Sequence, residues 1–322
     1  MKRLLKIRKI SHSKSFILLI LLVIIIVGFQ IANRNYLSSI NIATILATCS
    51  LSGMITVGIA LLLISGNCDL SAGAVGCMGG LLIAYLLSAG IPWLPAMLLV
   101  VVFGICAGLI NAFLSNFCNI MPFIATLAMA SVWKGIGNNL TNSANVPIKD
   151  PLLSSIGSVY ILSLPLPFVI MLILFVLYGL LLNNTKFGRK IYIVGGSPTA
   201  AYLAGINNKK ISTILMMNCS AIAALAGAIY AARMNSASPS AVYGSELDGI
   251  TAAVIGGMAF SGGTGDMVGC FLGLLLINTF SNGLVLVGMN VYWKLFANGA
   301  LLIAALTIEF FSERARRELA MV

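Results

Sequence analysis

Carboxylates inside apolar runs are expensive, on the order of 2.5–3.5 kcal/mol each on insertion scales, so each calls for a reason. Asp69 sits in Ser65-Gly66-Asn67-Cys68-Asp69-Leu70-Ser71, a polar break between two apolar runs. Two readings of this break are open. It is a discontinuous helix whose free backbone groups line a cavity, with Asn67, Asp69 and Ser71 on it. Alternatively it is a tight cytoplasmic turn in which Asp69 or Ser71 caps the next helix. Glu246 and Asp248 open a later apolar segment, where acids suit a helix N-terminus and also offer an outward docking surface. Asp266 follows the Gly262–Gly265 turn, and Lys134 comes late in an apolar run, placed to snorkel to the outer interface.

Asn111, Asn278, Asn282, Trp133 and Trp293 are the neutral groups able to line a polar path, since amides and indole faces suit a neutral hydroxylated solute. The plainer assignment for each is an interhelical hydrogen bond for the amides and interfacial anchoring for the tryptophans. Bond-making chemistry has no foothold here. The one histidine, His12, lies in a basic arm. There is no GxxxxGK[ST] phosphate loop, no HExxH and no paired carboxylates, so no catalytic residue and no metal site is expected. The seven cysteines form no CxxC pair and read as small buried hydrophobes.

The elements that must carry these groups follow from composition. Hydrophobic residues make up 60% of the 322 residues and charged ones 8%, against roughly 45–50% and about 25% in soluble domains. Eight acids and nineteen bases cannot cover a globule of this size, so the apolar excess must face lipid. The net charge of +11 does not point to nucleic acid, because most of the bases are confined to three places. These are the arm from Lys2 to Lys14, the segment from Lys186 to Lys210, and Arg314, Arg316 and Arg317. Basic segments stay cytoplasmic and are attracted to anionic lipid.

Apolar runs long enough for a helix fall at about 15–32, 42–64, 72–89, 93–115, 121–140, 159–182, 211–231, 249–260, 267–287 and 292–311, given that about 20 residues span a bilayer. The eighth is short and reads as a broken helix or one that begins earlier. The sequence therefore predicts an all-α polytopic bundle of about ten transmembrane helices with both termini cytoplasmic. Residues 1–14 form a basic arm, 15–311 the membrane domain and 312–322 a basic tail. The 183–210 loop is inside, and 141–158 and 232–248 are outside. The first helix is expected to remain uncleaved, having no small-x-small site after it. Gly76 and Gly80, Gly104 and Gly108, and Gly269 and Gly273 recur at helix-packing spacing. Val75-Gly76-Cys77 with Gly80 and Leu82 is echoed by Val268-Gly269-Cys270 with Gly273 and Leu275.

Four stretches in register resemble the permease subunits of ribose/xylose/galactose-type ATP-binding-cassette importers. Ser65 to Gly73 is similar to the family's GGIDLSVG, and Pro122 to Leu127 to its PFIVTLG. Phe187-Gly188-Arg189 continues through Gly195-Gly196 and Ala200-Ala201 to Gly205-Ile206-Asn207. Gly244-Ser245-Glu246-Leu247-Asp248 is followed by Ile255-Gly256-Gly257 and Ser261-Gly262-Gly263. The likeness runs over roughly residues 40–310.

That resemblance implies a bacterial inner-membrane subunit working with a second permease subunit, a cytoplasmic ATPase and an extracytoplasmic sugar-binding protein. The chain itself would bind no cofactor, ATP being held by the partner. Ala200, Ala201, Gly205, Ile206 and Asn207 correspond to the segment that couples to the ATPase, a short helix that transmits its closure. Tyr202 stands where the family often has a basic residue, and Cys68 where it has an aliphatic one. A nucleoside importer of the same superfamily is the alternative within transport. An autonomous ion-coupled carrier is the alternative outside it.

Overall fold

The computed structural model describes the backbone of residues 2–320. The side chains of the basic arm 1–14, His12 included, and of the tail 312–322 lie outside the described residues.

Helices dominate, as the apolar runs require. In chain order they begin α1 Lys2–Ala32, α2 Ser39–Ile64, α3 Ala72–Ser88, α4 Trp93–Asn116 and α5 Pro122–Thr141. A strand pairing follows, β1 Val146–Pro147, then α6 Pro151–Ser158 and a hairpin of β2 Tyr160–Ile161 with β3 Leu164–Pro165. The chain continues through α7 Leu166–Asn184, α8 Lys186–Gly196, α9 Pro198–Leu203 and α10 Asn208–Met234. It ends with β4 Ser236–Ala237, α11 Ser245–Ile255, α12 Met267–Leu286 and α13 Val291–Ala320. Each expected apolar segment contains a helix. By length and composition α1 (from Ser15), α2, α4, α7, α10 and α12 are able to cross a membrane, while α3 and the Leu295–Thr307 part of α13 are shorter.

Three segments differ from the sequence expectation, each for a local reason. The run at 159–182 starts as a hairpin, because Leu162 and Ser163 both take positive φ, the requirement of a two-residue primed turn. Its helix begins only at Leu166, with Pro167 in the first turn. The 183–210 loop is largely helical. The side chains of Thr185, Ser197 and Asn207 cap three successive helices by accepting from Gly188 N, Ala200 N and Lys210 N. The eighth segment, drawn at 249–260 and read as a broken helix or one that begins earlier, is α11, which does begin earlier but stops at Ile255. Its 11 residues span about 16 Å, half a membrane.

The core is built around α2 and α10. From Ser52 to Ile64 every residue of α2 is buried, so this helix has no lipid-facing side there. Around it pack α7, α10, α11 and α12, and α10 in turn carries α3 and α4. The small-residue stripes make these approaches close. Gly80 lies against the Gly227 carbonyl of α10, Gly104 against Ala221, Gly108 against Met216, and Gly269 against the Gly256 carbonyl that follows α11. The two echoed stripes thus sit in different interfaces, α3 on α10 and α12 on the end of α11. Helix α1 packs on α12 and exposes Phe16, Ile17, Ile24 and Ile31, as a lipid-facing helix does.

Candidate functional site

The polar break begins where α2 runs out of partners for its last carbonyls. Ser65 Oγ donates to the Leu62 carbonyl at 2.7 Å, Asn67 Nδ2 donates to Ser65 Oγ at 3.1 Å, and Gly66 turns the chain at φ +77°. Beyond it the chain returns into the bundle, where Asp69 is fully buried. Its Oδ1 accepts from Ser71 N at 2.8 Å and from Ser71 Oγ at 2.6 Å. Asn111 Nδ2 of α4 donates to Ser71 Oγ at 2.7 Å and stands 3.4 Å from both carboxylate oxygens. Ser220 Oγ of α10 donates to Oδ2 at 3.3 Å, and Thr126 Oγ1 of α5 accepts from Leu70 N at 3.0 Å. The Asp69 carboxylate therefore holds Ser71 in a side-chain-closed turn and ties the start of α3 to α4 and α10, while Leu70 N adds α5 through Thr126.

Glu246 is buried as well. Gly244, at φ +94°, lets α11 begin here, and Glu246 Oε2 accepts from Gly244 N at 3.0 Å. That oxygen lies so close to α3 that a Cβ on Gly73 would meet it at 1.9 Å. Gly73 and Glu246 are the second residues of α3 and α11, so the two N-termini abut inside the bundle. Asp248 Oδ1 accepts from Asn298 Nδ2 at 2.8 Å, and Ser281 Oγ donates to Asn298 Oδ1 at 3.1 Å. Both acids lie in the first turn of α11, as suits a helix N-terminus, and their side chains bond or abut neighbouring helices.

The remaining expected path residues stay outside the Asp69 network. Asn278 Nδ2 donates to Ser52 Oγ at 3.1 Å, joining α12 to α2, and Asn41 and Asn282 exchange amide hydrogen bonds at 3.0 and 3.1 Å. Trp133 meets Phe103 edge-on at 5.3 Å. Lys134 Nζ lies over the Tyr243 ring, 3.9 Å from its centroid. Trp293 is exposed. Among the described residues no group of three or more His, Cys, Asp or Glu could hold a metal ion. All seven cysteines are free.

On the opposite side of the break lies the α8–α9 pair. Ala201 is fully buried and Ile206 half-buried, while Ala200, Gly205 and Asn207 are exposed. Gly205 takes φ +74°. Tyr202 and Leu203 project, 75% and 80% exposed. Asn208 Nδ2 donates to the Pro198 carbonyl at 2.7 Å, tying α9 to the start of α10.

The end of α8 touches the break directly. A Cβ on Gly195 would meet the Ile64 carbonyl at 1.9 Å and Gly263 N at 2.6 Å, and one on Gly262 would meet Gly66 at 2.8 Å. Gly263 N donates to the Ile64 carbonyl at 2.8 Å. Tyr192 Oη donates to the Gly265 carbonyl at 2.7 Å. Burial, with the Asp266 charge adding, pushes this phenol up to about 12, so it remains a donor at neutral pH.

Sequence reasoning brought out Asp69, Ser71 and Asn111 but not their partners Ser220 and Thr126, nor Ser52, Asn298 and Tyr192. Hydroxyls inside apolar helices carry no periodic signal of their own.

A profile of the branched-chain amino acid transport system permease component matches residues 41–306, from early in α2 to the middle of α13. The chain belongs to this family. Among its relatives is the ribose import permease of Bacillus subtilis, 34% identical over 301 residues, covering 91% of each chain. The D-allose transport system permease of Escherichia coli is 30% identical and covers 90% of this chain and 89% of its own. The xylose transport system permease of Haemophilus influenzae is 28% identical, covering 91% of this chain and 95% of its own. No solved structure matches the chain.

Proposed function

We propose that the chain is the membrane-spanning permease of an ATP-driven, binding-protein-dependent importer and carries a monosaccharide of the ribose, allose or xylose kind. The observation that carries this reading is the extent of the likeness, since the relatives named for ribose and allose import match over nine-tenths of this chain or close to it. The helical bundle and its lipid-facing apolar surface agree with a multi-pass inner-membrane protein.

The finer assignments are ours. The chain crosses the membrane about ten times, with the arm 1–14, the segment 183–210 and the tail 312–322 on the cytoplasmic side. Helix α9 and the residues after it, Ala200, Ala201, Gly205, Ile206 and Asn207, engage a cytoplasmic ATPase, for which the projecting Tyr202 and Leu203 offer an apolar tip. The chain itself binds no ATP. A second permease subunit completes the path, to which Asn278 and Trp133 contribute polar edges, while Asp69, Ser71 and Asn111 hold the broken helix beside it. An extracytoplasmic sugar-binding protein delivers the solute to the outer connections around 142–165 and 235–244.

The test is reconstitution in liposomes with the ATPase and binding protein, each omitted in turn, following uptake of labelled ribose, xylose, allose and a nucleoside. Sugar uptake that needs both partners and ATP is expected. Preferential nucleoside uptake would move the chain to the nucleoside branch, and transport by the chain alone under an ion gradient would overturn the importer reading.

A further inference from the structure

Three chain segments meet at the inner end of α2 with no side chain between them. They are the α2–α3 break at Ile64–Gly66, the last turn of α8 at Gly195, and the α11–α12 turn at Gly262–Gly263. The contacts are main chain on main chain, and at Gly195, Gly262 and Gly263 the separations are too short for a single methyl group to enter. Gly66, Gly262 and Gly263 all take positive φ, a backbone course that calls for glycine. Two hydrogen bonds fasten the meeting point: Gly263 N to the Ile64 carbonyl, and Tyr192 Oη to the Gly265 carbonyl.

We propose that this junction is the mechanical link of the transporter, passing displacement of α8–α9 to the broken helix at Asp69 and to the α11–α12 pair together. Tyr192 and Gly195 act in it as positioning residues. The inference rests on the importer reading, which supplies the ATPase that moves α9.

The physical argument is one of stiffness. A contact through long side chains absorbs small shifts by rotamer changes, whereas backbone held against backbone by hydrogen bonds moves as one body. The exposed end of this body is α9, with Tyr202 and Leu203 at its tip. Its buried ends lead, within a few residues, to the Asp69 network on one side and to Gly256 against Gly269 on the other. A shift at α9 therefore reaches the N-terminus of α3 and the C-terminus of α11 in the same step. Because α11 also abuts α3 through Glu246 and Gly73, the two halves of the displaced unit are coupled at both ends.

The test measures sugar moved per ATP hydrolysed in the reconstituted complex for wild type, Gly195→Ala, Tyr192→Phe and Gly196→Ala. Gly195→Ala is expected to lower the ratio about tenfold and Tyr192→Phe about threefold, in the range of measured coupling effects. ATPase copurification and basal hydrolysis should stay near wild type. Gly196→Ala meets nothing within 4 Å and should keep the wild-type ratio. Wild-type ratios in both junction variants, measured on the complex that remains folded, overturn the proposal, as does a loss that merely follows reduced ATPase binding. A wild-type complex that moves no sugar brings down the importer reading and this proposal with it, and is recognised because the control itself fails.

Discussion

The Oε2 atom of Glu246 stands where the first side-chain atom of any residue other than glycine at position 73 would be, 1.9 Å from that point. The N-termini of α3 and α11 are thereby brought together inside the bundle, a contact between elements more than 170 positions apart in sequence.

Replacing Gly73 by alanine should therefore destabilise the fold by ~1–3 kcal/mol, the cost of overpacking a filled site. The Val242 carbonyl, 2.9 Å from the same point, leaves Glu246 little room to withdraw. Gly135→Ala, also within a helix but with nothing inside 4 Å, should be neutral or mildly stabilising. Thermal unfolding in detergent compares the two. Equal midpoints would show that α3 and α11 separate easily.

Asp69→Ala should cost more than Asp69→Asn. Alanine leaves Ser71 N–H, Ser71 Oγ and Ser220 Oγ without their acceptor, at about 1–3 kcal/mol for each buried group left unpaired. Asparagine keeps one acceptor oxygen. Unfolding midpoints check the order, and an equal loss in both would assign the effect to the charge instead of to acceptor geometry.

The junction has a pH signature. The Tyr192 phenol is pushed from the usual value near 10 to about 12 by burial and by Asp266. The unfolded chain therefore ionises first. Stability from this group is complete below pH 10, declines between pH 10 and 12, and changes no further once both states are ionised. Tyr192→Phe should be less stable than wild type below pH 10 and should lose less across that window. Parallel curves for the two proteins would contradict the buried donor.

At the tip of α9, Tyr202→Ala should leave stability within ~0.5 kcal/mol, as expected for an exposed side chain without structural partners. ATPase copurification and sugar uptake should fall together. Unchanged uptake would remove Tyr202 from the proposed ATPase contact.

Much of the architecture could be read from the sequence because apolar runs report membrane-length helices directly. The same signal failed at 159–165, where the run stays apolar while Leu162 and Ser163 turn the backbone through positive φ. It also left α8 inside a loop, and the short helix at α9 came only from the family resemblance, although Thr185, Ser197 and Asn207 are ordinary capping residues. Short helices of this kind lack the long apolar run that marks a membrane span. At the candidate site, Asp69 stood out through the cost of burying charge. Ser220, 151 positions away, carried no comparable mark, because its role exists only once α10 is packed against the break. Glu246 was legible as a first-turn acid of a short or broken helix, but its contact with Gly73 of α3 was not, because that contact exists only once the two N-termini are packed together.

The glycine junction has a bearing on how such a transporter could be respecialised. A surface made only of main chain offers nothing to vary by degree: a position there either has a side chain or has none. Adaptation to a different ATPase would fall on projecting residues such as Tyr202 and Leu203, and adaptation to a different sugar on side chains along the path. The piece between them would serve any such pairing unchanged, much as one axle fits wheels of different make.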